Sequence, residues 1–122
     1  MFFPASAWFS AFVLTVLIEA PVAWFLLRAA EPSLVRLGLL IVFASVATHP
    51  AVWFVFTQLF LVGTLEYVIA AEGWAVVAES VFWWAAIRGL SARRAVAVGV
   101  GTNVVSFLVG RLVLGLWPGL LW

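Results

Sequence analysis

The sequence predicts an all-α protein, a four-helix transmembrane bundle built from two tandem parallel helical-hairpin repeats. The first observation is composition: of 122 residues, 67% are hydrophobic and 9% are charged, with a mean hydropathy of +1.26. A soluble domain of this size could not cover its surface with so few charges. The second is four apolar stretches, each near the roughly 20 residues that span a membrane. The third is a set of polar residues that recurs at matched spacing in both halves.

Taken in order, the apolar stretches predict helices at Ala5–Arg28, Leu34–Phe60, Thr64–Arg88 and Ala92–Trp117. The first follows a start that lacks the basic region of a signal peptide, so we expect it to be retained. The second contains Pro50, which removes one backbone donor and is expected to kink it. We therefore expect a single integral membrane domain over residues 1–122, with only short connections.

The two halves align without gaps inside their helices. An offset of 60 residues superposes the first and third helices, and an offset of 58 superposes the second and fourth. The matched pairs are Val16 and Val76, Glu19 and Glu79, Trp24 and Trp84, Arg28 and Arg88, Arg36 and Arg94, Ser45 and Asn103, Val46 and Val104, and Thr48 and Ser106. We assign repeat one to about residues 5–60 and repeat two to about 64–117. Two helices per copy predict that both copies enter the membrane in the same direction.

Basic residues set the expected orientation. Five of the six arginines flank the first and third connections: Arg28, Arg36, Arg88, Arg93 and Arg94. The excess of positive charge on cytoplasmic loops predicts that these connections are cytoplasmic and that both termini lie outside. We expect an integral protein of a prokaryotic cytoplasmic membrane.

One polar residue in each helix is predicted to lie at the same depth. Glu19, Ser45, Glu79 and Asn103 are each nine residues from a cytoplasmic arginine. At about 1.5 Å per residue they lie roughly 13–14 Å in, close to the middle of a hydrocarbon core about 30 Å thick. Thr48 and Ser106 follow about one turn further out. These six residues form the predicted ion or proton site.

Two desolvated carboxylates near each other cannot both stay ionised. Glu19 and Glu79 are therefore both protonated, share a bound cation, or exchange protons during transport. Further out, Glu72 and Arg111 lie at similar depth and are expected to form an ion pair. His49 is a candidate metal or haem ligand, although a packing role beside Pro50 is favoured because a single histidine is too few for a bis-histidine haem. Apart from a bound cation, no cofactor is predicted.

The sequence favours a proton- or cation-coupled channel or transporter. The alternative is a non-catalytic structural or accessory subunit of a larger membrane complex, and a membrane-embedded enzyme or metal site ranks last, because no HExxH, GxSxG or glycine-rich phosphate loop is present. The expected partners are the lipid bilayer and a second copy or other membrane subunits. A formal net charge of +1 gives no reason to expect nucleic acid.

Overall fold

Four long helices make up the protein in the computed structural model, which describes residues 5–120. They are α1 (Ala5–Leu27), α2 (Leu34–Leu59), α3 (Leu65–Ala86) and α4 (Ala92–Leu116). Each is long and apolar enough to cross a membrane. The predicted bounds agree with these to within two residues at every end. Residues 1–4, 121 and 122 of the predicted domain lie outside the described residues.

The starts of three helices are fixed by hydroxyl caps. Ser33, Thr64 and Ser91 precede α2, α3 and α4, and each side-chain oxygen accepts a hydrogen bond from the backbone N–H three residues later, at 3.2–3.3 Å. Such a cap satisfies one of the backbone donors that the first turn of a helix leaves unpaired. In the turns before α3 and α4, Gly63 and Gly89 have φ of 89° and 83°, a conformation that glycine adopts without a steric penalty.

Helix α2 changes its winding after Pro50. The α-helical part runs over Leu34–Pro50, and the next six residues, Ala51–Phe56, form a π-helical segment before a last α-helical turn. Proline has no N–H to donate to the carbonyl of Val46, so the regular ladder is interrupted at this point. The sequence predicted a kink at Pro50; the structure shows wider winding directly after it, which changes the direction in which the following side chains point.

The helices form a closed ring. α1 packs against α2 and α4, and α3 packs against the same two helices, so that α1 and α3 lie across the bundle from each other. Because the connections are short, neighbouring helices run antiparallel. A ring of four places one face of every helix at a common centre.

An apolar cluster fills the end of the bundle that carries the basic loops. All four helices and the loop between α3 and α4 contribute to it: Ala23, Leu27, Leu37, Ile41, Ala44, Trp83, Ile87, Leu90, Ala95 and Val98. The outer faces are also apolar, with Leu17, Val35 and Leu65 at least two-thirds exposed. Apolar surface on this scale is consistent with an integral membrane protein, whose outer face contacts lipid.

Two arginines connect neighbouring helices at the basic end. Arg36, in the first turn of α2, donates from Nη2 to the carbonyl oxygen of Ala86 at the end of α3, at 3.2 Å. Arg94, in the first turn of α4, donates in the same way to Leu26 near the end of α1, at 3.4 Å. Both satisfy carbonyl groups that a helix end leaves unpaired. Arg36 also forms an ion pair with Glu31 at 2.8 Å.

Candidate functional site

Two carboxylates lie inside the bundle, just beyond the apolar cluster. Glu19 on α1 is 4% exposed and Glu79 on α3 is 2% exposed. They come from helices on opposite sides of the ring, and they are close enough for their charges to repel each other. No basic side chain within the described residues pairs with either of them. The bundle therefore holds two acidic groups whose hydrogen-bond partners are neutral side chains.

Glu79 accepts three hydrogen bonds. The Nδ2 amide of Asn103 donates to Oε2 at 2.9 Å, and the Thr102 hydroxyl donates to the same oxygen at 3.2 Å. On the other side, the Thr48 hydroxyl donates to Oε1 at 3.3 Å. Both oxygens of Glu79 are thus engaged, by α4 on one side and by α2 on the other.

Glu19 has fewer donors. The Ser45 hydroxyl on α2 donates to Oε2 at 3.2 Å. Ser106 on α4 lies close enough for its hydroxyl to act on the charge of Glu19. Both neighbours are hydroxyls, and no amide group faces this carboxyl among the described side chains. The two acids occupy the same layer in different surroundings.

The hydroxyls around the acids have a second acceptor on their own helix. Ser45, Thr48 and Thr102 lie 3.3, 3.4 and 2.9 Å from the backbone carbonyl four residues earlier. A hydroxyl has one proton, so it donates either to that carbonyl or to the carboxylate. When the carboxyl is protonated, the hydroxyl can turn to the backbone and accept instead. Asn103 differs, because its Nδ2 atom donates to Glu79 and to the Gly99 carbonyl, at 2.8 Å for the latter, and cannot accept.

A cavity of about 240 Å³ opens from the carboxylates toward the end opposite the basic loops. Its deep end is lined by Glu19, Glu79 and Asn103, and its outer part by Trp53 and by Arg111, which is exposed. This volume is many times the roughly 10–15 Å³ that one water molecule needs, so the cavity is large enough to hold water. The polar layer is therefore accessible from one end of the bundle and sealed by the apolar cluster at the other.

The structure brings all six predicted site residues into this layer or its immediate lining: Glu19, Ser45, Thr48, Glu79, Asn103 and Ser106. Thr102, which was not predicted as a site residue, is 1% exposed and hydrogen-bonded to Glu79. The spacing in the sequence indicated this position, because Thr102 lies four residues before Ser106 and so shares one face of α4 with it.

Glu72 and Arg111 both line the outer part of the cavity. The predicted ion pair between them is not formed, and the ion pair found over residues 5–120 joins Glu31 to Arg36. The correction has a simple physical reason: equal depth on neighbouring helices brings two charges to one level, but the directions of the side chains decide whether they meet. Here both face the same cavity without meeting.

His49 lies in a group of aromatic rings at the side of the cavity. Its ring centroid is 5.7 Å from that of Phe12, 6.0 Å from Trp53 and 6.5 Å from Trp8. Its Nε2 atom is buried without a hydrogen-bond partner within the described residues. Across residues 5–120, no group of three or more histidine, cysteine and carboxylate side chains is placed to hold a metal ion. These ring contacts are those of a packed side chain, and ligation by His49 stays a prediction.

Comparison of the chain with protein-family models, with curated proteins and with solved structures found no match. The function is therefore inferred from the carboxylate pair, its hydrogen bonds and the cavity above it.

Proposed function

We propose that this protein is a small polytopic membrane protein that moves protons or small cations, as a proton- or cation-coupled channel or transporter. The observation that carries the proposal is the placement of Glu19 and Glu79 at the bottom of a one-sided cavity, inside helices that are mainly apolar. A charged side chain at the membrane centre costs about 2.5–3.5 kcal/mol even on a lenient scale. Two such residues on facing helices favour a site that uses their charge.

The hydroxyl groups support binding and release of a proton at this site. Because Ser45, Thr48 and Thr102 each have a carboxylate and a backbone carbonyl within reach, they can donate or accept without moving the helices. A purely structural carboxyl needs only one protonation state. A set of neighbours that can hydrogen-bond to both the ionised and the protonated carboxyl is suited to a group that binds and releases a proton.

The single opening of the cavity supports transport by alternating access. From the carboxylates, the cavity leads to the end opposite the basic loops, while Leu27, Leu37 and Trp83 close the other end. A protein of this kind exposes its site to one side at a time. We assign the open side to the outside and the arginine-rich loops to the cytoplasm, with both termini outside.

We further propose that the bundle arose by tandem duplication of a helical hairpin. Ser33 and Ser91 occupy matched positions and cap α2 and α4 in the same way. Arg36 and Arg94 are also matched, and each donates to the end of the neighbouring helix from the other half. Such reciprocal contacts are what a twofold axis along the membrane normal produces. Repeat-built transporters place their sites at the interface between the repeats, and a tandem duplication would give Glu19 and Glu79 that position.

The second candidate function is an accessory subunit of a larger membrane complex, with the polar layer holding helices together. The observation that favours it is the apolar seal at the basic end, where buried apolar side chains of all four helices pack together. A second copy or another subunit would then complete a path or use the bundle as a scaffold. This candidate predicts stoichiometric co-purification with other chains and no flux from the isolated protein.

Flux measured in proteoliposomes tests the proposal. The purified protein is reconstituted with a pH-sensitive or a sodium-sensitive dye inside the vesicles, and a membrane potential is imposed. We expect flux from the wild-type protein and background flux from Glu19→Gln and Glu79→Gln. The matched control is Glu66→Gln, an exposed acid in the first turn of the same helix as Glu79, which should keep wild-type flux. Wild-type flux in both buried-acid variants would rule out the proposal.

A further inference from the structure

We infer that the two buried acids have different charges, with the exchangeable proton on Glu19 and a fixed negative charge on Glu79. The inference rests on the proposed function in treating the pair as a proton-binding site. The location of the proton on one of the two acids can be measured without any transport. It follows from the kind of donor that faces each carboxyl, since the two acids share one layer and are similarly buried.

Glu79 is held in the ionised form by an obligatory donor. The amide of Asn103 presents an N–H to Oε2 at 2.9 Å, and this nitrogen cannot act as an acceptor for a carboxyl proton. Thr102 and Thr48 add two hydroxyl donors. A carboxylate that receives two or three hydrogen bonds is stabilised in its charged form. Protonation of Glu79 at Oε1 would let Thr48 turn to the Ala44 carbonyl, but the two hydrogen bonds at Oε2, from Asn103 and Thr102, would lose the strength that a charged acceptor gives them.

Glu19 can take up a proton without leaving Ser45 unsatisfied. Its partner Ser45 lies 3.2 Å from the carboxyl and 3.3 Å from the Ile41 carbonyl. When Glu19 is ionised, Ser45 donates to it. When Glu19 is protonated, its O–H donates to Ser45, which then donates to Ile41. The switch requires rotation of one hydroxyl.

Only one negative charge is favourable in this layer, because two desolvated carboxylates close together repel each other. The other titratable groups lining the cavity do not separate the two acids. They are His49 on α2, Glu72 on α3 and Arg111 on α4, all further out than the acids, and α1 contributes no other. The donors within hydrogen-bond distance therefore decide which acid holds the proton.

The two halves also differ in sequence at the positions that contact the acids. At an offset of 58 residues, Asn103 replaces Ser45, and Thr102 replaces Ala44. The second half thus supplies an amide and an additional hydroxyl to its own acid, where the first half supplies one serine and an alanine. These substitutions differentiate two acids that the repeat otherwise places alike.

Infrared spectroscopy of the reconstituted wild-type protein at neutral pH tests the inference, because a protonated carboxyl gives a C=O band that an ionised one lacks. The band frequency reports hydrogen bonds to that carboxyl. We expect one such band, shifted by Ser45→Ala and left unchanged by Thr102→Ala. Ser80→Ala is the matched control, since the Ser80 hydroxyl donates to the Val76 carbonyl and has no bond to either acid. Asn103→Ser replaces the amide donor of Glu79 by a hydroxyl like the one that faces Glu19. A second C=O component, from protonated Glu79, should then appear.

The opposite pattern would overturn the inference. A band that responds to Thr102→Ala and ignores Ser45→Ala would place the proton on Glu79. Absence of any protonated band would mean that both acids are ionised around a cation. Each alanine variant is checked for wild-type helicity and thermal unfolding, so that a folding defect is recognised. A protein with the expected band and no flux would keep this inference and refute the transport proposal, so the two can fail separately.

Discussion

The hydroxyl of Thr48 on α2 lies 3.3 Å from Oε1 of Glu79 on α3. This contact joins the first half of the chain to the acid of the second half. Three residues before Thr48, on the same helix, Ser45 contacts Glu19 of the first half. One face of α2 therefore touches both acids, so a displacement of α2 changes the surroundings of both at once.

Removal of the Asn103 amide should destabilise the protein. In Asn103→Ala, Glu79, which is 2% exposed in the wild-type protein, loses its shortest hydrogen bond. A hydrogen bond to a charged group contributes about 1.5–3 kcal/mol, so we expect a loss of unfolding free energy of that order. Thermal unfolding in detergent measures it. The control is Ser10→Ala at an exposed site on α1, which should leave the unfolding temperature unchanged. An equal response in both variants would contradict this account of Asn103.

Helices α3 and α4 lie so close together at Gly99 that a side chain at this position should not fit. A Cβ there would overlap the Ser80 hydroxyl and lie 3.0 Å from the Val76 carbonyl oxygen. Overpacking of this kind costs about 1–3 kcal/mol, so Gly99→Ala should lower the unfolding temperature. Gly110→Ala on the same helix, with nothing within 4 Å of the added atom, should be neutral or stabilising because alanine is the better helix former. Equal stability of the two variants would show that the helices are less closely packed here.

The apolar seal at the basic end should be sensitive to loss of volume. Leu27 is fully buried, whereas Leu17 on the same helix is 67% exposed. Leu27→Ala leaves a cavity and is expected to cost about 2–5 kcal/mol, while Leu17→Ala should change little. In proteoliposomes we also expect Leu27→Ala to leak protons without an imposed substrate gradient, because water gains access to the carboxylates from the sealed side. A tight and stable Leu27→Ala variant would argue against the seal.

Thiol labelling tests the proposed orientation directly, since the chain contains no cysteine of its own. Single cysteines are introduced at the exposed positions Leu61, Ala92 and Gly119. A membrane-impermeant thiol reagent should label Leu61→Cys and Gly119→Cys in intact cells, and Ala92→Cys only after permeabilisation. The reverse pattern would place the arginine-rich loops outside and turn the cavity toward the cytoplasm.

The sequence by itself determined the elements and the level of the site. The length of each apolar stretch and the hydroxyls at Ser33, Thr64 and Ser91 define where the helices begin and end. Because an α-helix rises by a constant amount per residue, the distance from the arginines also predicted that Glu19 and Glu79 lie at one depth. Both of these properties are local to one helix, and this is why they can be read from the chain.

Only the tertiary structure decided which side chains meet. The order of helices in the ring and the rotation of each helix come from packing across the bundle, which a linear pattern does not encode. Thr48 therefore reaches Glu79 of the other half, Thr102 joins the site, and Glu72 and Arg111 share a cavity without pairing. The single opening of that cavity has the same origin, because large apolar side chains converge at the basic end and leave space at the other.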